Sequence, residues 1–333
     1  MKAISRRRFL KLAGQAAVGV GAASLSPAIG LASLGPGLKV AQATRMMMGT
    51  FVSITVVDTS TTRAQEAMEA AFERMKELVP IYDRHGKGLV HELNTTGSLE
   101  LTPELASLLG FCTEVHRLTG GAFDITVAPL VDLVATSFAT RSAPPTHEQL
   151  EQALRLVGAL KVQGRRAWLT AEGAGITLDG VAKGHLADEA IKVLKAYRVK
   201  GGLVNAGGDI AATGSRGGRP WRIGISDPNN PSRAIAVISL REGAVATSGN
   251  YEVYYDRDKL FHHIINPRTG RPARADASVS VRAHSAVMAD ALSTACFVMA
   301  PHEARKFLSS HSGISGLIIT RHGMRYMSGP FKG

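Results

Sequence analysis

The chain has 333 residues, enough for one large domain or two lobes, and 45% hydrophobic with 5% aromatic residues fits a globular protein. Its formal net charge of +12 is concentrated at one end: residues 1–43 hold six basic residues and no acidic one. The remainder carries 33 basic against 27 acidic residues and no dense basic patch interleaved with aromatics, which argues against a nucleic-acid partner.

Ser5-Arg-Arg-Arg-Phe-Leu-Lys11 precedes an Ala/Gly/Leu/Val run over 12–34 that ends at Ala41-Gln42-Ala43. The order of the Arg pair, Phe, Leu and Lys resembles a twin-arginine export signal, with an A-x-A site after Ala43. The run is rich in Gly and Ala and broken by Pro27, which disfavours a permanent membrane span. The expected organisation is a signal at 1–43 and a domain at 44–333. The expected location is the periplasm, reached through the twin-arginine translocase. Cys112 and Cys296 sit in apolar helical surroundings and read as buried small side chains, with a disulfide as the alternative.

Met46–Val57 opens the domain, with a strand from Thr50. Residues 62–79 form an amphipathic helix through Ala67, Phe72, Met75 and Val79, ended by Pro80. A polar loop from Ile81 to Gly88 leads into 89–94, and 103–119 is a second helix closed by Gly120-Gly121. Phe123 and Asp124 follow, either as a platform for a flat ring or as a core Phe beside a capping Asp. Residues 135–147 are rich in Ser, Thr, Ala and Pro and read as a loop, 147–157 as a helix, 167–169 and 175–178 as short strands.

In Thr177-Leu-Asp-Gly-Val-Ala-Lys-Gly184 a glycine turn opens a helix running from Ala182 to Tyr197. Lys183 beside its N-terminus suits a phosphate. Asn205-Ala-Gly-Gly-Asp209 follows a strand and is either a backbone approach to a ligand or a tight turn. Strands are expected over 221–226, 234–240 and 251–255, with a loop at 228–232 and a strand leading into a turn over 243–251. His262-His263 beside the Asn266-Pro267 turn offers a general base or substrate-orienting group, or a histidine that packs and caps the turn. Strands 277–282, 317–321 and 324–328 complete the chain.

Met288–Phe297 reads as an apolar helix on which Asp290 and Thr294 stand one turn apart. A buried carboxylate and hydroxyl need partners. Two hard oxygen ligands beside a substrate phosphate suit Mg²⁺; a satisfied Asp and a Thr bonded to its own helix is the other reading. Helices and strands mix without βαβ alternation, so the fold class is α+β with mostly antiparallel sheet. The absence of G-x-G-x-x-G disfavours a dinucleotide-binding oxidoreductase.

Seven stretches in order resemble the ApbE family of FAD:protein FMN transferases: Met48-Gly-Thr, Gly121-Ala-Phe-Asp, Gly180-Val-Ala-Lys-Gly184, Asn205-Ala-Gly-Gly-Asp209, Thr247-Ser-Gly-Asn-Tyr251, His263-Ile-Ile-Asn-Pro-Arg-Thr-Gly270 and Ala289-Asp-Ala-Leu-Ser-Thr294. The resemblance implies a two-lobed, T-fold-like architecture and transfer of FMN from FAD to a Thr or Ser hydroxyl of a target protein, with release of AMP. It implies Mg²⁺ held by Asp290, Thr294 and the carbonyl of Ala182, Lys183 at the diphosphate, and His263 acting on the target hydroxyl. The FAD site would include Met48, Tyr82, Ala122, Phe123, Asp124, Thr177, Asp179, Asn205, Gly207, Asp209, Ser248 and Ile265. The export signal further resembles NosX-type accessory proteins, whose partner would be a NosR-like membrane flavoprotein. Two departures stand out: Thr177 and Asp179 replace the family's usual Asp and Gly, and the loop after Ile81 lacks its Asp-Ser pattern. A non-catalytic FAD carrier and an FAD pyrophosphatase are the competing functions.

Overall fold

The computed structural model describes residues 30–33, 37–273, 276–329 and 331; the arginine-rich segment at 5–11 lies outside them. Along the chain run β1 (Gly30–Ser33), β2 (Lys39–Met47), β3 (Thr50–Asp58), β4 (Ser98–Glu100), β5 (Leu160–Gln163), β6 (Arg166–Leu169), β7 (Gly201–Ala206) and β8 (Asp209–Gly214). Then come β9 (Trp221–Asp227), β10 (Asn230–Leu240), β11 (Gly243–Gly249), β12 (Asp276–Ala283), β13 (Ser315–Thr320) and β14 (Arg325–Ser328). Among the described residues a nine-stranded sheet has the order β1-β2-β3-β7-β8-β11-β12-β13-β14, with every neighbouring pair antiparallel. This is the α+β, antiparallel class that the mixed pattern predicts.

Both faces of the sheet are covered. The Thr61–Tyr82, Ala182–Ala196 and Ala286–Val298 helices bury Phe72, Met75, Leu186 and Phe297 against Ile54, Val56, Val204 and Val281 on one face. On the other, the β9–β10 hairpin packs Trp221, Ile223 and Ile238 onto Val57, Val245 and Leu317. A third apolar cluster joins the Ala128–Arg141 and His147–Leu154 helices through Leu130, Val134 and Ala153.

The structure corrects several expected boundaries. β2 pairs with β3 from Lys39↔Asp58 to Met47↔Thr50, and Ala41 is fully buried in the main core. The expected boundary after Ala43 falls within β2, whose Ala41 and Ala43 pack on the main core.

The first helix continues through Pro80 to Tyr82. Residues 135–141 are not a loop but the end of the Ala128–Arg141 helix, whose buried Leu130, Val131 and Val134 give it a packed face. At 175–178 no ladder forms. The Asn94 amide takes a strand's place, accepting from Ile176 N at 2.8 Å and donating to Ile176 O at 2.9 Å. Residues 251–255 hold turns and one isolated bridge, Tyr254↔His262, and β10 starts inside the expected loop, at Asn230. Cys112 and Cys296 are both buried and not joined in a disulfide.

Two helices meet at unusually short range. A Cβ on Gly184 would lie 2.4 Å from the Ala286 carbonyl oxygen. The close approach lets each helix cap the other. Asp188 accepts from Ala286 N at 2.8 Å and Val287 N at 2.9 Å, while Asp290 accepts from Gly184 N at 3.0 Å. Helix propensity alone would make Gly184→Ala stabilising by up to about 1 kcal/mol. The contact with Ala286 predicts instead a loss of about 1–3 kcal/mol from overpacking, read by urea denaturation with the slope unchanged.

Candidate active site

A cleft opens where four segments converge: Ala122–Val131, the Thr177–Gly180 turn, the 247–265 stretch and the Ala286–Val298 helix. The helix contributes Asp290 and Thr294, four residues and one turn apart, so both face the cleft. Asp290 is 3% exposed. Thr294 Oγ1 lies 3.3 Å from Ser248 Oγ, which also meets Ser293 Oγ at 2.7 Å; Ser293 in turn donates to the Asp290 carbonyl at 2.9 Å. This chain of hydroxyls ties β11 to the helix.

The turn at Gly180 is wedged between Phe123 and Thr294. A Cβ there would stand 3.3 Å from the Phe123 ring and 3.2 Å from Thr294 Oγ1. Phe123 is 3% exposed, so it is a core residue that also forms a wall. Asp124 is a cap: its Oδ1 accepts from Thr126 N at 2.8 Å and Thr126 Oγ1 at 2.6 Å. Thr177 and Asp179 both line the cleft, Thr177 Oγ1 accepting from Asp179 N at 3.2 Å.

Charge is unevenly distributed. Lys183 Nζ lies 3.1 Å from Asp209 Oδ2. Burial alone would lower the Lys183 pKa, but Asp209, Glu252 and Asp290 outweigh it and hold it well above its ordinary value. Burial, joined by the Asp209 carboxylate, pushes Asp290 well above the usual carboxylate range, against the pull of Lys183 and Gly184 N–H. Burial also lifts Glu252 to about 7, with Lys183 opposing. One ammonium thus faces three carboxylates in a desolvated site, an excess that a cation would neutralise.

Asp290 and Thr294 supply hard oxygen donors suited to Mg²⁺, which leaves coordination positions for water or substrate phosphate. Among the described residues no cluster of three or more His, Cys, Asp or Glu side chains forms a self-contained metal cage. The donor set therefore fits a cation shared with a ligand.

The two histidines separate cleanly. His262 is 1% exposed and fully engaged: Nε2 reaches the Ala273 carbonyl at 2.6 Å, Nδ1 accepts from Ile264 N at 3.2 Å, and the ring sits edge-on to Phe297. His263 lines the cleft, with Nδ1 3.2 Å from the Val253 carbonyl. A carbonyl only accepts, so Nδ1 carries the proton and Nε2 keeps its lone pair. Burial holds the His263 pKa below its ordinary value, with the Val253 contact opposing, so the ring is neutral near pH 7.

Ala122, Ser248 and Ile265 also line the cleft. Several expected residues do not. Tyr82 is 4% exposed and directs its hydroxyl to His185 Nδ1 at 2.6 Å; it belongs to the helix interface, because its helix runs on past Pro80 and buries it. Met48 occupies the β2–β3 turn at φ 48° beside Gly49 at φ 73°, a hairpin geometry that places it on the surface. Asn205 and Gly207 form the neighbouring β7–β8 turn, where Asn205 Oδ1 accepts from Gly208 N at 2.8 Å and Gly207 N donates to Phe51 O at 3.1 Å. Asp209 stands behind Lys183 as its counter-ion. Ala182 is 1% exposed in the first turn of its helix and does not line the cleft. Gly180 and Thr247, which open two of the family stretches, also line the cleft, and so does Glu252, which the sequence does not single out because an acid after Tyr251 carries no signal by itself.

Residues 48–318 match the ApbE family, and the chain belongs to it. An FAD:protein FMN transferase of Haemophilus influenzae is 29% identical over 320 residues, 90% of this chain and 92% of that one. A Treponema pallidum protein of the same name is 35% identical over 222 residues, about three-fifths of each chain (60% and 61%). The crystal structure of the ApbE protein from Thermotoga maritima superposes with a TM-score of 0.80 at 34% identity, covering 87% of this chain and 97% of that one. The apo flavinyl transferase ApbE of Pseudomonas stutzeri gives 0.75 at 26% identity, covering 88% and 95%.

Glu252 yields a pH test. An acid whose folded pKa is raised loses stability as pH climbs from its ordinary 4.5 through about 7. In chelated protein, the melting temperature of Glu252→Gln should therefore gain on the parent across that window and level off above it. Taking the difference between the two curves cancels the buried histidines, which act in the opposite sense. A constant difference would contradict the assignment.

Proposed function

We propose that this chain transfers FMN from FAD to a Thr or Ser hydroxyl of a target protein in an Mg²⁺-dependent reaction that releases AMP. The observation that carries this reading is the Asp290–Thr294 pair opening onto the same cleft as Lys183 and His263. Full-length relatives named FAD:protein FMN transferase support it. Asp290 and Thr294, which line the cleft, would hold Mg²⁺, and the family resemblance adds the carbonyl of Ala182 from outside that lining; the bound metal would neutralise diphosphate charge.

The chain's own groups divide the remaining work. His263 Nε2 accepts the proton of the attacking hydroxyl. The oxygen then bonds to the FMN-side phosphorus, and the bond to the bridging oxygen breaks with its electron pair leaving on AMP. Lys183, kept protonated by Asp209, sits against the diphosphate. Phe123 and Ile265 provide apolar walls that exclude water. Positioning and charge neutralisation supply most of the acceleration in such transfers.

The twin-arginine-like Ser5–Lys11 segment supports export to the periplasm and a NosX-like role, with a NosR-like membrane flavoprotein as acceptor. The place of Ala43 within β2 supports a cleavage point upstream of Lys39 rather than after Ala43. Intact mass of the exported protein should place its N-terminus there; a start at Thr44 would contradict this placement.

With FAD, Mg²⁺ and a Thr-bearing acceptor domain, the acceptor should gain one FMN in step with AMP. Asp290→Ala should lower the rate about 100-fold or more, the scale of losing one electrostatic stabiliser of the transition state. AMP with free FMN and no labelled acceptor would indicate a pyrophosphatase. FAD held without either product would indicate a carrier.

A further inference from the structure

The two places where the sequence departs from its family's pattern meet in space. Arg84, in the loop after Ile81, lies with its Nε 3.5 Å from Asp179 Oδ2 and its Nη1 2.7 Å from Asp132 Oδ1. The Arg84 side chain is 8% exposed, while Asp132 and Asp179 are 54% and 59% exposed. A nearly buried guanidinium thus joins two otherwise solvated carboxylates. One belongs to the Ala128–Arg141 helix, next to the cleft residue Val131; the other is itself a cleft residue.

The loop that presents Arg84 is built for rigidity. Asp83 Oδ1 accepts from His85 N at 3.0 Å and Gly86 N at 2.9 Å, and the Asp83 carbonyl receives His91 N at 3.0 Å. From the other side, Asp179 N is tied to Thr177 Oγ1. Arg84 Nε is buried without a hydrogen-bond partner, so at 3.5 Å its contact with Asp179 is a charge pairing rather than a hydrogen bond. Among the ion pairs of the described residues, Arg84 supplies the cation beside the largely solvated Asp179 side chain at the cleft wall.

We propose that Arg84 is a positioning residue for the donor nucleotide, acting through Asp179, whose carboxylate it orients to accept a hydrogen bond from a hydroxyl or amino group of the bound dinucleotide. The inference rests on FAD being the donor. An ionised carboxylate only accepts, and the ribityl, ribose and adenine portions of FAD all present such donors.

The test is FAD affinity by titration calorimetry with Mg²⁺, alongside KM and kcat, for Arg84→Ala, Arg84→Lys, Asp179→Asn and the Arg84→Ala/Asp179→Asn pair. Arg84→Ala should weaken FAD binding about tenfold, the scale of one hydrogen bond to a charged group. The loss should appear in KM, with kcat at saturating FAD held within about twofold. Asp179→Asn should weaken binding similarly, the double variant no further than either single, and Arg84→Lys should recover part of the loss. Parent-like affinity in Arg84→Ala, losses that multiply in the double variant, or a fall in kcat at unchanged KM would overturn the proposal. Melting temperatures check the fold, which Arg84→Ala should retain because both carboxylates stay hydrated. A parent chain that binds no FAD would overturn the donor assignment first and this inference with it, a result distinct from a parent that binds FAD and a variant that binds it equally well.

Discussion

Two aspartates exchange helix ends at the centre of this molecule. Asp188 satisfies the first amides of the Ala286–Val298 helix, and Asp290 satisfies an amide in the first turn of the Ala182–Ala196 helix. Helix N-termini carry unpaired donors and partial positive charge, so each carboxylate meets a need of its neighbour. Gly184 makes the exchange possible by letting the backbones approach. Asp290 is thereby buried and oriented with one oxygen engaged, one turn from Thr294 and beside Lys183. The site is a by-product of how these helices are locked together.

Burying Asp290 this way creates a debt of charge. Burial raises the carboxyls of Asp290 and Glu252, and Lys183, shared among Asp209, Glu252 and Asp290, only opposes that rise. On the proposed function a divalent cation would relieve the excess and let a diphosphate enter the acidic cleft, so that metal and nucleotide would favour each other's binding by simple electrostatics. His263, held neutral by burial with its free nitrogen in the cleft, suits a site where a hydroxyl must lose a proton.

Much of the site was legible because its residues sit in short, local patterns. The Asp290–Thr294 spacing, the glycine turn before Lys183 and the histidine before Asn266-Pro267 each fix a conformation through a few neighbouring residues. What sequence reading missed depends on contacts made across long separations. The Lys39–Ala43 segment reads only as a cleavage motif in the sequence, and its place as a strand beside β3 shows in the fold. Residues 135–141 look like a polar loop until the apolar face of their helix finds Leu150 and Leu154. Tyr82 looks available until the helix continues through Pro80, and Arg84 has no visible role until the chain folds Asp132 and Asp179 around it.

The most direct test is a crystal structure of the chain with FAD and Mn²⁺, read by the anomalous signal of the metal. The account predicts one Mn²⁺ bound by Asp290 and Thr294 and bridged to the FAD diphosphate, with Asp290 still accepting from Gly184 N. A metal bound elsewhere, or FAD seated with its diphosphate away from Lys183 and this helix pair, would contradict it.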